Sequence, residues 1–279
     1  MTAEAAQKDT RPAHPCFESG AFCTHGRIHL PVAPACNIQC RYCLRKFDCM
    51  NESRPGVTSR VMEPEEAART AKAYLEAHPE TTVVGFAGPG DPLANEATFE
   101  TLALLRAYGV DAVFCLSTNG LKLAEQTGRL RELGVSYLTV TINAQSLAAA
   151  EQIYTHVEED GRVLRGKEAA ALLLERQKEG LRKAVESGFH VKVNMVLMDG
   201  INTEEVLPLA KALAEAGAER MNINSVINVT GDPEVIPLPA ARVRELRRAA
   251  GRYLPQMQAC GQCRADAAGI PGLQLRGHA

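Results

Sequence analysis

An α/β fold built on a parallel sheet is predicted by three features of this 279-residue chain. Short β-branched runs alternate with amphipathic stretches from about residue 60 onward. Proline, glycine and acidic signals separate the two kinds of element. The polar and glycine-rich segments Cys36–Cys43, Gly88–Asp91, Ser117–Gly120, Asn143–Gln145 and Asn194 onward each follow or end a predicted strand. Strict β/α alternation implies parallel strands joined by right-handed crossovers.

The elements follow in order. A strand is expected over 29–34. A helix over 64–78 opens with Pro64, Glu65 and Glu66, because proline suits the first turn and acids suit the positive end of the helix dipole. Pro79 lies just beyond it. The β-branched run Thr81 to Ala87 is a strand ending in a Gly/Pro loop. Helix 95–108, strand 111–116, helix 120–133 and strand 136–141 come next. A long helix over 167–187, strand 190–196, helix 203–216, strand 219–225 and helix 239–254 complete the series. Six strand–helix units fit an open doubly wound sheet or an incomplete barrel. In either, chemistry belongs at the carboxyl ends of the strands, where the polar segments converge. Residues 1–28 and 255–279 stand outside the alternation and both carry cysteines. They are expected to act as an arm and a tail around a barrel domain spanning 29–254.

Composition narrows the class. Hydrophobic residues make up 46%, charged residues 23%, and the formal net charge is -2. That excludes a disordered chain, a collagen-like rod and a nucleic-acid binder driven by bulk charge. No apolar run approaches the roughly 20 residues that span a bilayer. The polar start, Met1 to Thr10, does not read as a signal peptide, so a soluble, cytoplasmic protein without membrane or nucleic-acid partners is expected.

The cysteines are unusual. Six of nine (Cys16, Cys23, Cys36, Cys40, Cys43 and Cys49) fall in the first fifth of the chain, with Cys115, Cys260 and Cys263 beyond. An odd, uneven set in a long chain argues against a disulfide framework and for metal or cluster ligation. Cys36-Asn-Ile-Gln-Cys40-Arg-Tyr-Cys43 places three thiols in eight residues. They can hold three corners of a cubane and leave the fourth iron open, whereas electron-transfer clusters normally have four Cys ligands. A zinc site completed by a nearby His or Cys49 is the simpler alternative.

CxxxCxxC with an aromatic before its last Cys, just after a first strand, resembles the radical S-adenosylmethionine superfamily. That resemblance implies a TIM-like partial (β/α)6 barrel whose cysteine-bearing N- and C-terminal extensions close over the carboxyl face of the strands. It implies a 4Fe–4S cluster on Cys36, Cys40 and Cys43. It also implies an S-adenosylmethionine site at Gly88-Pro89-Gly90-Asp91, Ser117, Asn119 and Asn194. A narrower resemblance rests on His14-Pro15-Cys16, His29 to Cys40, Asn51-Glu-Ser-Arg-Pro-Gly-Val57 and Cys260-Gly-Gln-Cys263-Arg-Ala-Asp-Ala267. These strings are similar to the NifB family, radical enzymes of nitrogenase cofactor assembly, over residues 14 to about 272. The match stops before the carrier domain of many members, so the short stand-alone form is expected. Arg41, Leu44 and Asn222-Ile-Asn224-Ser225 depart from that family's pattern.

The resemblance implies that two further 4Fe–4S clusters are held as substrates, fused, and given a carbide from S-adenosylmethionine, making three clusters in all. Cys16, Cys23, His29, Cys115, Cys260 and Cys263 are the candidate ligands, with His29 favoured over His14. Cys115 shares strand parity with Ser117 and should point inward with it. Cys49 is left as a structural residue. Glu52 is a candidate oxygen ligand or proton acceptor, and Arg54 a charge partner for anionic clusters or for the cofactor carboxylate. The implied partners are a cluster donor, a cofactor carrier or scaffold protein and an electron donor. A basic helix with Arg242, Arg244, Arg247, Arg248 and Arg252 reads first as a solvated face and second as a dock for an acidic carrier. Two other readings remain: a radical enzyme for a different substrate with an auxiliary cluster at Cys260/Cys263, and a non-catalytic iron–sulfur carrier.

Overall fold

The computed structural model describes residues 13–18, 20–257 and 260–274; the polar start Met1 to Thr10 lies outside them. The elements are β1 (Gly26–His29), β2 (Ile38–Cys40), α1 (Pro64–Ala77), β3 (Thr81–Phe86), α2 (Glu96–Ala107) and β4 (Val113–Thr118). Next come α3 (Leu123–Glu132), β5 (Val135–Thr141), α4 (Leu147–Ile153), β6 (Tyr154–Glu159) and β7 (Arg162–Leu164). The chain continues through α5 (Gly166–Glu186), β8 (His190–Leu197), α6 (Val206–Glu215), β9 (Arg220–Ser225), α7 (Ala240–Ala250), β10 (Ala268–Gly269) and α8 (Pro271–Gln274).

The main sheet has the order β10-β1-β3-β4-β5-β8-β9 and curls into a half-barrel. β1, β3, β4, β5, β8 and β9 run parallel, and β10 joins β1 antiparallel. The alternation of side chains along each strand separates two faces. Val84, Phe86, Leu116, Leu138, Val140, Val191 and Val193 join the core beneath the helices, with Leu102 and Leu105 of α2 and Ala67, Ala68 and Ala71 of α1. The alternate set, including Cys115, Ser117, Thr139, Lys192, Asn194 and Asn222, lines the inside of the curve. The inside is therefore polar and sulfur-bearing while the outside face carries the core.

The first strand differs from expectation. β1 spans Gly26–His29 rather than 29–34, because Pro31 and Pro34 cannot donate to a ladder. α3 begins at Leu123, three residues late, after a turn in which Gly120 adopts φ 87°. A second sheet, β2-β6-β7, was not expected. It carries the cysteine loop on β2, paired antiparallel to β6, and closes through a hairpin at Asp160-Gly161.

The N-terminal arm, expected over the carboxyl ends of the strands, reaches their amino halves in its described residues. Phe17 packs with Val83, Val113 and Tyr137 in the amino halves of β3, β4 and β5. It plugs the curve from inside and carries Cys16 toward Cys115.

Candidate active site

Two cavities meet at the carboxyl ends of β3 and β4. The first, of about 440 Å³, is lined by Cys36, Cys40, Cys43, Gly90, Asp91, Ser117 and Asn119. Gln39 shapes the cysteine loop by donating from its amide to the carbonyls of Cys40 (2.9 Å) and Cys43 (2.8 Å). Arg41 anchors it through an ion pair with Asp232 at 2.6 Å. Tyr42, the aromatic of the motif, is fully buried, and its hydroxyl bonds to Asn51 and accepts from Asn143 Nδ2 (2.7 Å). The aromatic therefore serves as the core pin of the loop.

The Gly88–Asp91 loop is stitched against the cysteine loop. Gly90 N donates to Ala33 O (2.6 Å) and Asp91 N to Ala35 O (2.8 Å). A Cβ at Gly90 would lie 2.1 Å from the Ala35 carbonyl oxygen, so only glycine allows this approach. The Asp91 carboxylate accepts from Asn119 N (2.6 Å), Leu93 N (2.9 Å) and Thr118 Oγ1 (3.0 Å). Burial pushes Asp91 up to about 6, against the hydrogen bonds it accepts. Asp91 thus ties two loops together, and Asn119 Nδ2 in turn donates to Asn37 Oδ1 (2.7 Å).

The second cavity, of about 640 Å³, lies inside the curve of the sheet. Cys16, Cys115, Cys260, Cys263, His29 and Lys192 line it, and it shares Glu52, Ala87 and Ser117 with the first. Glu52 forms the common wall; its carboxylate accepts from Asn194 Nδ2 at 2.8 Å. Burial raises its proton affinity against the pull of Lys192. Arg27 Nη2 reaches Cys263 Sγ (3.0 Å), and Asn222 Nδ2 reaches Cys260 Sγ (3.4 Å).

Two histidines reach this cavity in opposite tautomers. His29 Nδ1 lies 3.0 Å from the Arg264 carbonyl, which can only accept, so Nδ1 carries the proton and Nε2 keeps a free lone pair. Burial, reinforced by Arg27, pushes His29 down to about 4, so the ring is neutral. A metal ligand needs that state. His14 Nδ1 instead accepts from Cys16 N (3.0 Å), so in the neutral ring Nε2 carries the proton and can only donate. Gly85 makes room for His29: a Cβ there would lie 2.7 Å from its Cδ2.

All nine cysteines are free. Burial pushes the Cys36, Cys40, Cys43 and Cys115 thiols up, and Cys16 to about 11, so these are neutral thiols until a metal displaces the proton. The thiols line walls rather than converging: among the described residues, no three His, Cys, Asp or Glu side chains are grouped for a single metal ion. Buried polar atoms of His14 (Nε2), Asn194 (Oδ1) and Asn222 (Oδ1), all on the second cavity, have no hydrogen-bond partner among the described residues. A site built this way is complete only with a bound group. The donor set of soft thiols and neutral imidazole suits iron–sulfur clusters.

Several expected site residues stand elsewhere. Cys23 is exposed on the turn Ala21–Cys23, against Gly272 of α8, and lines neither cavity. Arg54 is exposed, bonds to Gln262 (3.3 Å) and lines neither cavity. Gly88 and Pro89 shape their loop against Ala33 without lining the cavity. Cys49, expected to be structural, lines the first cavity beside Cys36 and Cys43. Sequence reasoning missed Arg45, Arg27 and Lys192. Lys192 carried a signal, since it shares strand parity with Asn194.

Comparison with known proteins gives the family and the fold. Residues 30–213 match the family model of the radical SAM superfamily. FeMo cofactor biosynthesis protein NifB of Chlorobaculum tepidum is 46% identical over 262 residues, covering 93% of this chain and 62% of that protein. The Klebsiella pneumoniae protein is 45% identical, covering 95% and 58%. The Methanocaldococcus infernus protein is 41% identical, covering 92% and 85%. The chain thus spans about three-fifths of the two bacterial relatives. Two solved structures share the fold at 14% identity: Streptococcus suis SuiB (TM-score 0.60, covering 82% of this chain and 48% of that one) and methylornithine synthase PylB (TM-score 0.51, covering 88% and 74%).

Proposed function

The chain belongs to the radical S-adenosylmethionine superfamily and to the NifB family within it, and on that premise we propose that it builds the eight-iron, carbide-centred precursor of the nitrogenase cofactor. Membership in the superfamily carries with it one 4Fe–4S cluster and S-adenosylmethionine. The observation that supports the fuller reading is the pair of adjoining cavities sharing Glu52, Ala87 and Ser117.

Cys36, Cys40 and Cys43 would hold the resident cluster, which with bound S-adenosylmethionine would supply radical chemistry. Gly90 lets the backbone approach, while Asp91 and Asn119 set the distance between the two loops. The substrates are two 4Fe–4S clusters in the second cavity, where Cys16, Cys115, Cys260, Cys263 and His29 Nε2 are the ligands. Five ligands for two cubanes leave iron corners open, as fusion and release require. A methyl carbon delivered there must lose its hydrogens before it becomes a carbide. Glu52, on the shared wall and oriented by Asn194, is the buried carboxylate that accepts a proton as it leaves. An electron donor, a cluster donor and a carrier protein complete the reaction, in a reducing cytoplasm that suits nine free thiols.

Anaerobic incubation of reconstituted protein with S-adenosylmethionine and reductant tests this. The reading requires both S-adenosylhomocysteine, from methyl transfer, and 5′-deoxyadenosine, from radical formation. 5′-Deoxyadenosine alone would point to a different substrate, and neither product would leave a carrier.

A further inference from the structure

Lys192 is the least expected residue of the inner face. It sits in the middle of β8, which is buried along its length after His190, and is itself only 4% exposed. Its electrostatic neighbours are Cys16, Glu52, Cys260 and Cys115. Among the described residues it has no hydrogen-bond or ion-pair partner, and Glu52 is already engaged by Asn194. An ammonium buried without a partner is costly, and substitution by an apolar residue of similar size is often stabilising. Beside it, the Nε2–H donor of His14 is also buried without an acceptor. The floor of the second cavity therefore presents a cation and a donor that no hydrogen bond or ion pair of the described residues satisfies, with the neighbouring Glu52 carboxylate already bonded to Asn194.

We propose that Lys192 is a positioning residue that recognises the anionic, thiolate-ligated iron–sulfur cargo of the second cavity, compensating the charge that Cys16, Cys115 and Cys260 acquire on binding iron. Each thiolate formed adds one negative charge to a dry cavity, where a neighbouring cation has its greatest effect. This inference rests on the proposed substrate clusters.

The test removes the resident cluster with Cys36→Ala/Cys40→Ala/Cys43→Ala and counts only second-cavity iron and sulfide after anaerobic reconstitution. Lys192→Met and Lys192→Arg are compared in that background for iron retention against a chelator, for cluster midpoint potential, and for thermal unfolding of the iron-free protein. Lys192→Met should hold iron at least about tenfold more weakly and shift the midpoint to more negative potential. Lys192→Arg should restore both, while iron-free Lys192→Met unfolds at the same temperature as its parent or higher. Unchanged retention and potential in Lys192→Met would overturn the inference. So would a fall in iron-free stability that accounts for the iron loss, since Lys192 would then be structural. If the parent background binds no iron, the substrate-cluster reading fails first and takes this inference with it.

Discussion

Gly90 and His29 show how single residues set the chemistry. Gly90 is the point where two loops touch, with its backbone NH on Ala33 and no room for a Cβ beside the Ala35 carbonyl. Gly90→Ala must push these loops apart, at about 1–3 kcal/mol of overpacking. Urea unfolding should register that loss, and equilibrium dialysis should show S-adenosylmethionine binding at least about tenfold weaker. Unaltered binding would mean that the Gly-rich loop does not position the ligand. The glycine was legible in the sequence as a glycine-rich strand end. The histidine choice was legible only as a preference for His29 over His14, because the tautomers depend on a carbonyl at Arg264 and an amide at Cys16. Lys192 was hidden by its setting, since a lysine between valines reads as an ordinary strand alternation until the curvature of the sheet shows what lies inside.

Among the elements, the segment after the cysteine loop and the C-terminal tail form one clasp. Asp48, 1% exposed, accepts from Thr58 N (3.0 Å) and Ala265 N (3.2 Å). Ser53 Oγ donates to Cys263 O (2.8 Å), and Asp266 accepts from Ser59 N (2.7 Å). β10 pairs with β1 through Ile28 and Ala268. The Asn51–Val57 and Cys260–Ala267 strings lie apart in the sequence and meet here. Asp48→Ala leaves two amides unpaired, at about 1–3 kcal/mol each if both stay dry. Hydrogen exchange should then quicken across 263–269 and alkylation of Cys260 and Cys263 accelerate, with Cys36, Cys40 and Cys43 unaffected. No change in the tail would assign its placement to β10 alone. The β6–β7 hairpin, by contrast, turns on Asp160-Gly161. Both residues take positive φ, 50° and 73°, as a two-residue hairpin turn requires, but the flanking strands are short and charged. The β/α series was legible because long runs of buried β-branched residues announce parallel strands.

At the scale of the whole molecule, the curled sheet separates a helix-covered outer face from an inner face of thiols, amides and one lysine. Among the described residues, no helix is long and apolar enough to cross a membrane. The sequence could show that cysteines from both ends and from β4 belong together, but not which side of Glu52 each one faces. Cys23 lines neither cavity and Cys49 lines the first: thiol spacing along the chain says nothing about the wall that divides the cavities. The central claim is that this wall separates one resident iron–sulfur site from a second compartment for substrate clusters. Iron and acid-labile sulfide per chain, measured after anaerobic reconstitution on wild type and on Cys36→Ala/Cys40→Ala/Cys43→Ala, tests it most directly. The account predicts about twelve irons in the wild type and about eight in the variant, three cubanes reduced to two. About four irons in the wild type and none in the variant, one cubane's worth, would contradict it.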